Sequence, residues 1–459
     1  MMRTPFPEHT LLQFLRSALQ VHHRFVSGTL SRAESPIYVI GNPSADLDSI
    51  ISALVYSYFA NDRVPCDFPR PHVPVINLDK VSAGPELRRL RPEFAKALHL
   101  SKHDAGETSD VEESSMLKEH FLTVADFAAQ LKQECLGSQI QADSVLVDWN
   151  ALPTRSDNQP GKGKGALPGL PTVDFTVVGC IDHHTDEKFL PSIVSTQPLF
   201  VEPTGSCSSL VIAVLEKMGL WERSKSATAN EGQMAKLAMV PILIDTANLT
   251  SKDKVTEFDT AAFDFLLPKA TTANSWDASK FYTEIRETKQ NSLELLTVDE
   301  ILDRDYKEWT ENSRQTDQLP LQIGICSMVK SIPWVVRKAG SSQAFVDSLK
   351  TFASQRKLDI VVAMTAFSSQ DGQFSRELLV CALNARGVDA LQAFVSDSSS
   401  QLGLKDWSSH DGDDHAQDIK DTLRAAEDSP LWTRLWVQTN VAQSRKQVAP
   451  LIRGAAASL

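Results

Sequence analysis

Four short apolar runs between residues 36 and 245 each lead into a carboxylate, and they restrict the fold more than any other feature of the chain. Residues 36–41 run into Asn42, Asp46 and Asp48. Residues 144–147 end at Asp148, residues 173–181 at Asp182, His183 and His184, and residues 234–244 at Asp245. Each run has the length and apolar content of a buried strand. Helical patterns at 11–30, 50–58, 87–100, 120–136 and 208–220 fall between or beside them, and 73–78 and 199–202 read as further strands. Alternation of this kind predicts an α/β protein with a doubly wound parallel sheet, whose strands deliver their carboxyl ends to one edge.

At 459 residues the chain exceeds one ordinary core and predicts two or three domains. Composition turns polar around 268–280, where a linker is expected. This divides the chain into an N-terminal domain, 1–270, and a smaller α/β domain, 271–459. The second domain has strand patterns at 321–328, 358–365, 377–382 and 436–439, and helical ones at 278–310 and 343–356. Solvated loops or insertions are expected at 101–118, 151–172 and 396–430.

A hydrophobic content of 42% and a charged content of 23% fit a globular protein, and no run of 18 apolar residues exists to span a membrane. The first ten residues lack the apolar core of a signal peptide. Arg16, His22, His23 and Arg24 carry a trace of transit-peptide character, but Leu11, Phe14, Leu15 and Leu19 read as the buried face of a first helix. The expected location is therefore cytoplasmic, with the mitochondrial matrix as the alternative. A net charge of −12 argues against a nucleic-acid coat protein. The six cysteines (Cys66, Cys135, Cys180, Cys207, Cys326 and Cys381) show no C-x-x-C spacing and read as reduced core thiols.

Taken singly, an aspartate after a strand is an ordinary helix cap. Taken together, Asp46, Asp48, Asp148, Asp182, His183, His184 and Asp245 would place mutually repelling carboxylates at one edge, which calls for cations. A mostly oxygen donor set with one or two imidazoles suits Mg²⁺ or Mn²⁺, with Co²⁺ a further option, and suffices for two ions per site. Two ions sharing a carboxylate and a water would generate hydroxide near neutral pH and serve phosphoryl transfer.

Residues 41–49, 146–148, 178–184 and 244–246 resemble the four motifs of the DHH phosphoesterase superfamily. Ser444, Arg445, Lys446, Gln447 and Val448 with Pro450 are similar to the basic motif closing the DHHA2 type of C-terminal domain. That domain is shared by family II inorganic pyrophosphatases, fungal cytosolic exopolyphosphatases and prune-type proteins. The resemblance implies an active site in the cleft between a metal-binding DHH domain and a substrate-binding DHHA2 domain. It implies metal ligation by Asp46, Asp48, Asp148, His183 and Asp245, with Asp148 as the bridge and catalytic centre. It places His184 against the substrate phosphate as a second catalytic group. It assigns Arg445 and Lys446, and more loosely Lys289, to substrate binding, and leaves Glu202, Gly205 and Ser206 a supporting role. Lys330, Arg337 and Lys338 would either line a polyanion channel or form a solvated face.

Pyrophosphatases of this superfamily carry histidine where this chain has Asn42, a weak or indirect metal ligand. Asparagine there is the pattern of the exopolyphosphatase and prune-like branch, and residues 303–309 and 325–331 also resemble the fungal exopolyphosphatases. The expected activity is a metal-dependent exopolyphosphatase that releases terminal orthophosphate from linear polyphosphate by two-metal hydroxide attack. The alternatives are another phosphoanhydride or phosphodiester substrate, namely pyrophosphate, a nucleoside tetraphosphate or a cyclic nucleotide, and a non-catalytic binding scaffold.

Overall fold

The computed structural model describes residues 9–61, 70–102, 109–134, 139–153, 163–191, 197–223, 227–271, 276–312, 319–368, 372–409, 416–426 and 432–459. The chain divides into two compact units, Met1–Ser292 and Leu293–Leu459.

The first unit runs α1 (Leu11–Val26), β1 (Ile37–Ile40), α2 (Leu47–Ala60), β2 (His72–Val75), α3 (Pro85–Leu90), α4 (Pro92–Ser101), α5 (Asp110–His120), α6 (Val124–Gln133), β3 (Ile140–Val147), β4 (Lys164–Leu167), β5 (Leu170–Asp182), β6 (Leu199–Val201), α7 (Cys207–Lys217), α8 (Ala229–Asp245), α9 (Glu257–Ala270) and α10 (Ala278–Asn291). The strands form one sheet in the order β2-β1-β3-β5-β4, with β6 also paired to β5, and every pairing is parallel except β4 with β5. The winding starts outward from β1 to β2, then reverses past β1 to β3 and β5. With right-handed crossovers, that reversal puts successive helices on opposite faces and opens a crevice between the carboxyl ends of β1 and β3. Register pairs Ile40 with Leu146 and Val147 with Ile181, so Asn42, Asp148 and Asp182 leave the sheet side by side. Every residue of α2 is buried, which anchors Asp46 and Asp48 at its start.

Several expectations are corrected. Residues 234–244 are the end of helix α8, not a strand. A Thr228–Glu231 capping box starts a helix of 17 residues, and a buried helix is as apolar as a buried strand. The acidic stretch expected as a loop contains helix α5, opened by a Ser109–Glu112 capping box. The pattern at 87–100 is two helices, because Pro92 follows the break at Arg91. Part of 151–172 is hairpin β4–β5, and residues 154–162 lie outside those described. The units part at Ser292, later than the expected boundary after 270. Phe281 and Ile285 of α10 bury into the first core, and Lys96 pairs with Glu284 at 3.1 Å.

Buried His22 stands edge-on to Tyr38 and Phe127, and its Nδ1 lies 2.9 Å from the Tyr38 hydroxyl. Burial, and then neighbouring His23, push its pKa down to about 3. The unfolded chain binds this proton near pH 6.5 and the folded one does not. Stability is therefore complete above that pH and falls, by up to a few kcal/mol, as pH drops toward 3. His22→Gln should flatten that acid limb in denaturant titrations at pH 4 to 7; an unchanged slope would exclude His22 as its origin.

The second unit comprises α11 (Val298–Arg304), β7 (Tyr306–Glu311), β8 (Leu321–Met328), α12 (Ile332–Ala339), α13 (Ser342–Gln355), β9 (Ile360–Thr365), β10 (Phe367–Ser368), β11 (Phe374–Ser375), β12 (Glu377–Ala382), α14 (Ala385–Leu402), β13 (Leu404–Asp406), α15 (Ala416–Ala425), β14 (Trp432–Gln438) and α16 (Arg445–Ala457). Its sheet has the order β13-β14-β12-β9-β8-β7, parallel only between β8 and β9. The helical pattern at 278–310 therefore ends in strand β7, and the insertion expected at 396–430 includes the end of α14 and all of α15. Residues 410–415 and 427–430 of it lie outside those described.

Candidate metal centre

Asp148, His183 and His184 meet at the crevice, with one potential ligand atom from each within 4.8 Å of the others. Asp148 follows β3 in the left-handed region, at φ 54°. Its N–H donates to the Ile181 carbonyl at 3.0 Å, which turns the carboxylate across the edge of the sheet. Oδ2 is fixed by two donors, Asn42 Nδ2 and Ser49 Oγ, each at 2.7 Å. Oδ1 faces His183 Nε2 at 3.1 Å and His184 Nδ1 at 3.5 Å. Gly41 makes room for Ser49, since a Cβ there would lie 2.6 Å from the Ser49 Cβ.

His183 Nδ1 lies 3.1 Å from the Thr204 carbonyl, which can only accept, so Nδ1 carries the proton. The Nε2 lone pair then faces Asp148 Oδ1, and Asp48 Oδ2 at 3.7 Å. Acceptors turned toward one another need a second proton or a cation between them. Buried Asp48 also accepts from Ser206 Oγ (2.9 Å), Cys207 N (2.7 Å) and Ser208 N (3.0 Å) at the start of α7. Its pKa is raised well above the usual carboxylate range, first by burial and then by Asp148, Asp245 and Asp46. Four carboxylates thus share one field, and one protonated imidazole would not neutralise them. The donor set fits divalent cations bound through oxygen and imidazole. Cys180 and Cys207 are not part of it. Burial, and then the nearby carboxylates, push both thiols well up, and Cys207 Sγ donates to the Ile181 carbonyl at 3.2 Å.

The other expected residues occupy distinct positions. Asp46 caps α2, accepting from Ser49 N at 3.0 Å, and so also does what a single strand-end aspartate ordinarily does. Asp245 ends α8 and precedes three left-handed residues, Ala247, Asn248 and Leu249. Asn42 donates to Asp148 and accepts from Ser44 N at 2.8 Å, so its amide braces a carboxylate. Asp182 Oδ1 takes His184 Nδ1 at 2.8 Å, and its Oδ2 takes Asn150 Nδ2 at 2.5 Å. Glu202 is exposed and serves through its backbone N–H, which donates to the Asp182 carbonyl. Lys289 lies half-buried in the last turn of α10.

In the second unit, Arg445 opens α16 and donates twice to Asp305, to its carbonyl and to Oδ1, each at 2.7 Å. Lys446 beside it is exposed. Lys338 Nζ donates to the Glu294 carbonyl at 2.8 Å, Lys330 Nζ lies 4.0 Å from the Glu294 carboxylate, and Arg337 is exposed. Of the cysteines, Cys180, Cys207, Cys326 and Cys381 are buried free thiols, while Cys66 and Cys135 lie outside the described residues.

Residues 283–455 match the family model of the DHHA2 domain. Over 436 residues the chain is 28% identical to a Schizosaccharomyces pombe protein named "Putative exopolyphosphatase", covering 93% of this chain and 92% of that one. The fold is similar to that of a Methanococcus jannaschii crystal structure, described as a "putative family II inorganic pyrophosphatase", at a TM-score of 0.51 and 16% identity. That match covers 91% of this chain and 98% of the other. The resemblance drawn from the sequence is thereby supported in its DHHA2 part, and over most of its length the chain is similar to the fungal protein. Among the described residues no helix is long and apolar enough to cross a membrane.

Proposed function

We propose that the chain is a divalent-metal-dependent hydrolase of phosphoanhydride bonds, and specifically a cytoplasmic exopolyphosphatase that removes orthophosphate from the end of linear polyphosphate. The observation that carries the reading is the cluster of Asp148 Oδ1, His183 Nε2 and Asp48 Oδ2, acceptors turned toward one another at the crevice. The ligands in this reading are Asp46, Asp48, Asp148, His183 and Asp245, holding Mg²⁺ or Mn²⁺, two per site. Bound there, the cations would acidify water and offset the charge that develops on phosphoryl oxygens. The protein's own part is to hold the geometry. Asn42 and Ser49 fix Asp148, and the Thr204 carbonyl fixes the His183 tautomer. Asp182 anchors His184 through Nδ1, and as the imidazolium, with both nitrogens protonated, His184 can donate from Nε2 to a phosphate oxygen.

Arg445 and Lys446 hold further phosphate oxygens in this reading. Asp305 pins one edge of the Arg445 guanidinium, which lowers the entropy lost when other N–H groups bind an anion. Arg445→Ala should raise KM for polyphosphate by about 10- to 100-fold, the worth of a charge-assisted contact, and change kcat less. An unchanged KM would remove Arg445 from the substrate site.

The two similar proteins have names pointing to two substrates, polyphosphate and pyrophosphate. Asn42 favours the first, because pyrophosphatases of the resembled superfamily carry histidine there, whereas this amide donates to Asp148 and accepts from Ser44 N. Phosphate release from pyrophosphate, tripolyphosphate, long polyphosphate and a cyclic nucleotide, measured side by side with Mg²⁺ or Mn²⁺, tests the choice. Polyphosphates should be preferred; preference for pyrophosphate overturns the substrate, and no release from any supports a binding scaffold.

A further inference from the structure

Asp259 is completely buried on the first turn of α9, and no motif marks it. Its Oδ2 accepts from the N–H (2.8 Å) and hydroxyl (3.0 Å) of Thr256, which is what a helix-capping carboxylate does. It also takes four donors from a segment some fifty residues earlier: Thr204 Oγ1 (3.0 Å), Gly205 N (3.0 Å), Ser206 N (3.2 Å) and Ser209 Oγ (2.7 Å). A cap alone does not call for these. Glu112, in the equivalent box of α5, is exposed and accepts from its own cap residue Ser109.

Other groups of the same segment hold two of the proposed ligands. The Thr204 carbonyl takes His183 Nδ1, while Ser206 Oγ, Cys207 N and Ser208 N hold Asp48. The turn presses on the carboxylate so closely that a Cβ on Gly205 would lie 2.8 Å from Asp259 Oδ2 and 2.6 Å from Thr246 Cγ2. We infer that Asp259 is a positioning residue for the metal centre, fixing His183 and Asp48 through the 204–206 turn. This rests on the reading of that centre as a metal site. A carboxylate that grips backbone N–H groups sets where the turn stands, and the turn sets the tautomer of one ligand and the orientation of another.

The test is Mn²⁺ binding to the full chain, followed by the electron paramagnetic resonance of free Mn²⁺ well below the melting temperature. In Asp259→Asn the carboxamide oxygen can keep the Oδ2 contacts with Thr204, Gly205 and Thr256, which places the N–H₂ against Ser206 N–H and the Ser209 hydroxyl. The substitution should raise the Kd about 10- to 100-fold while circular dichroism stays unchanged. A purely structural cap would lower thermal stability and leave the Kd within about twofold of the natural protein, which would overturn the inference. If Asp259→Asn does not fold, Gly205→Ala decides, because it forces the turn off the carboxylate while the α9 cap stays intact. A raised Kd supports the role and an unchanged one overturns it. Failure of the natural protein to bind Mn²⁺ is a separate result, and it removes the metal-site reading together with this inference.

Discussion

Asp148→Asn is expected to lower kcat for polyphosphate by at least about a thousandfold and to abolish tight Mn²⁺ binding. The prediction follows from the two sides of one carboxylate. Oδ2 is committed to the Asn42 amide and the Ser49 hydroxyl, so the carboxamide oxygen of the variant takes that place. Its N–H₂ must then face His183 Nε2, where Oδ1 stood at 3.1 Å. A hydrogen bond replaces the cation, and the variant should fold normally while being inactive. Steady-state kinetics with an Mn²⁺ titration checks both halves. Retention of most of the rate would show that the metal centre is not built on Asp148.

Metal removal should destabilise the protein most at neutral and alkaline pH. Asp48 has a folded pKa raised above that of the unfolded chain, so its contribution to the stability of the metal-free protein is fully present below the ordinary carboxylate value of 3.8. It is lost as pH rises through the folded pKa. Above that pH the metal-free folded state holds charged carboxylates against one another, and bound cations relieve the repulsion. Mn²⁺ at one fixed concentration, a thousandfold its Kd at pH 8, adds about 4 kcal/mol there and should raise the melting temperature by several degrees, and by much less at pH 5, where protons compete with the cation for the carboxylates. Calorimetric scans with Mn²⁺ and with chelator at the two pH values measure the difference. An equal rise at both would show that the shared carboxylate field is not what the metal relieves.

Much of the architecture is legible in the sequence, because strands buried on both faces, whatever their direction, read as continuous apolar runs. The limits of β8 and β12 follow directly from 321–328 and 377–382. Convergence of Asn42, Asp148 and Asp182 is legible for the same reason, since adjacent parallel strands end together. Asp245 reaches the same field from a helix terminus instead. An apolar run alone does not distinguish the two, although Thr228 and Glu231 at capping-box spacing mark the helix. Ser49 lies inside a recognised motif, but its bond to Asp148 spans 99 positions and has no local signature. Asn150 is likewise two residues past Asp148, and its grip on Asp182 depends on β3 lying beside β5. Asp259 is hidden behind its own capping spacing to Thr256, which explains it locally and conceals four long-range contacts. The left-handed backbone at Asp148 costs about 1 kcal/mol or more and is retained where it turns the carboxylate across the sheet edge. Aspartate tolerates that region better than most residues, so the strain leaves no mark in composition.

The most direct measurement is a phosphorus NMR time course of long-chain polyphosphate with the protein and Mn²⁺. Orthophosphate is expected to accumulate from the start while interior phosphate signal declines and the signal of chain ends stays constant, and chelator should stop the reaction. A rise in chain-end signal without orthophosphate, or release that continues in excess chelator, would contradict removal from the chain end at a metal centre.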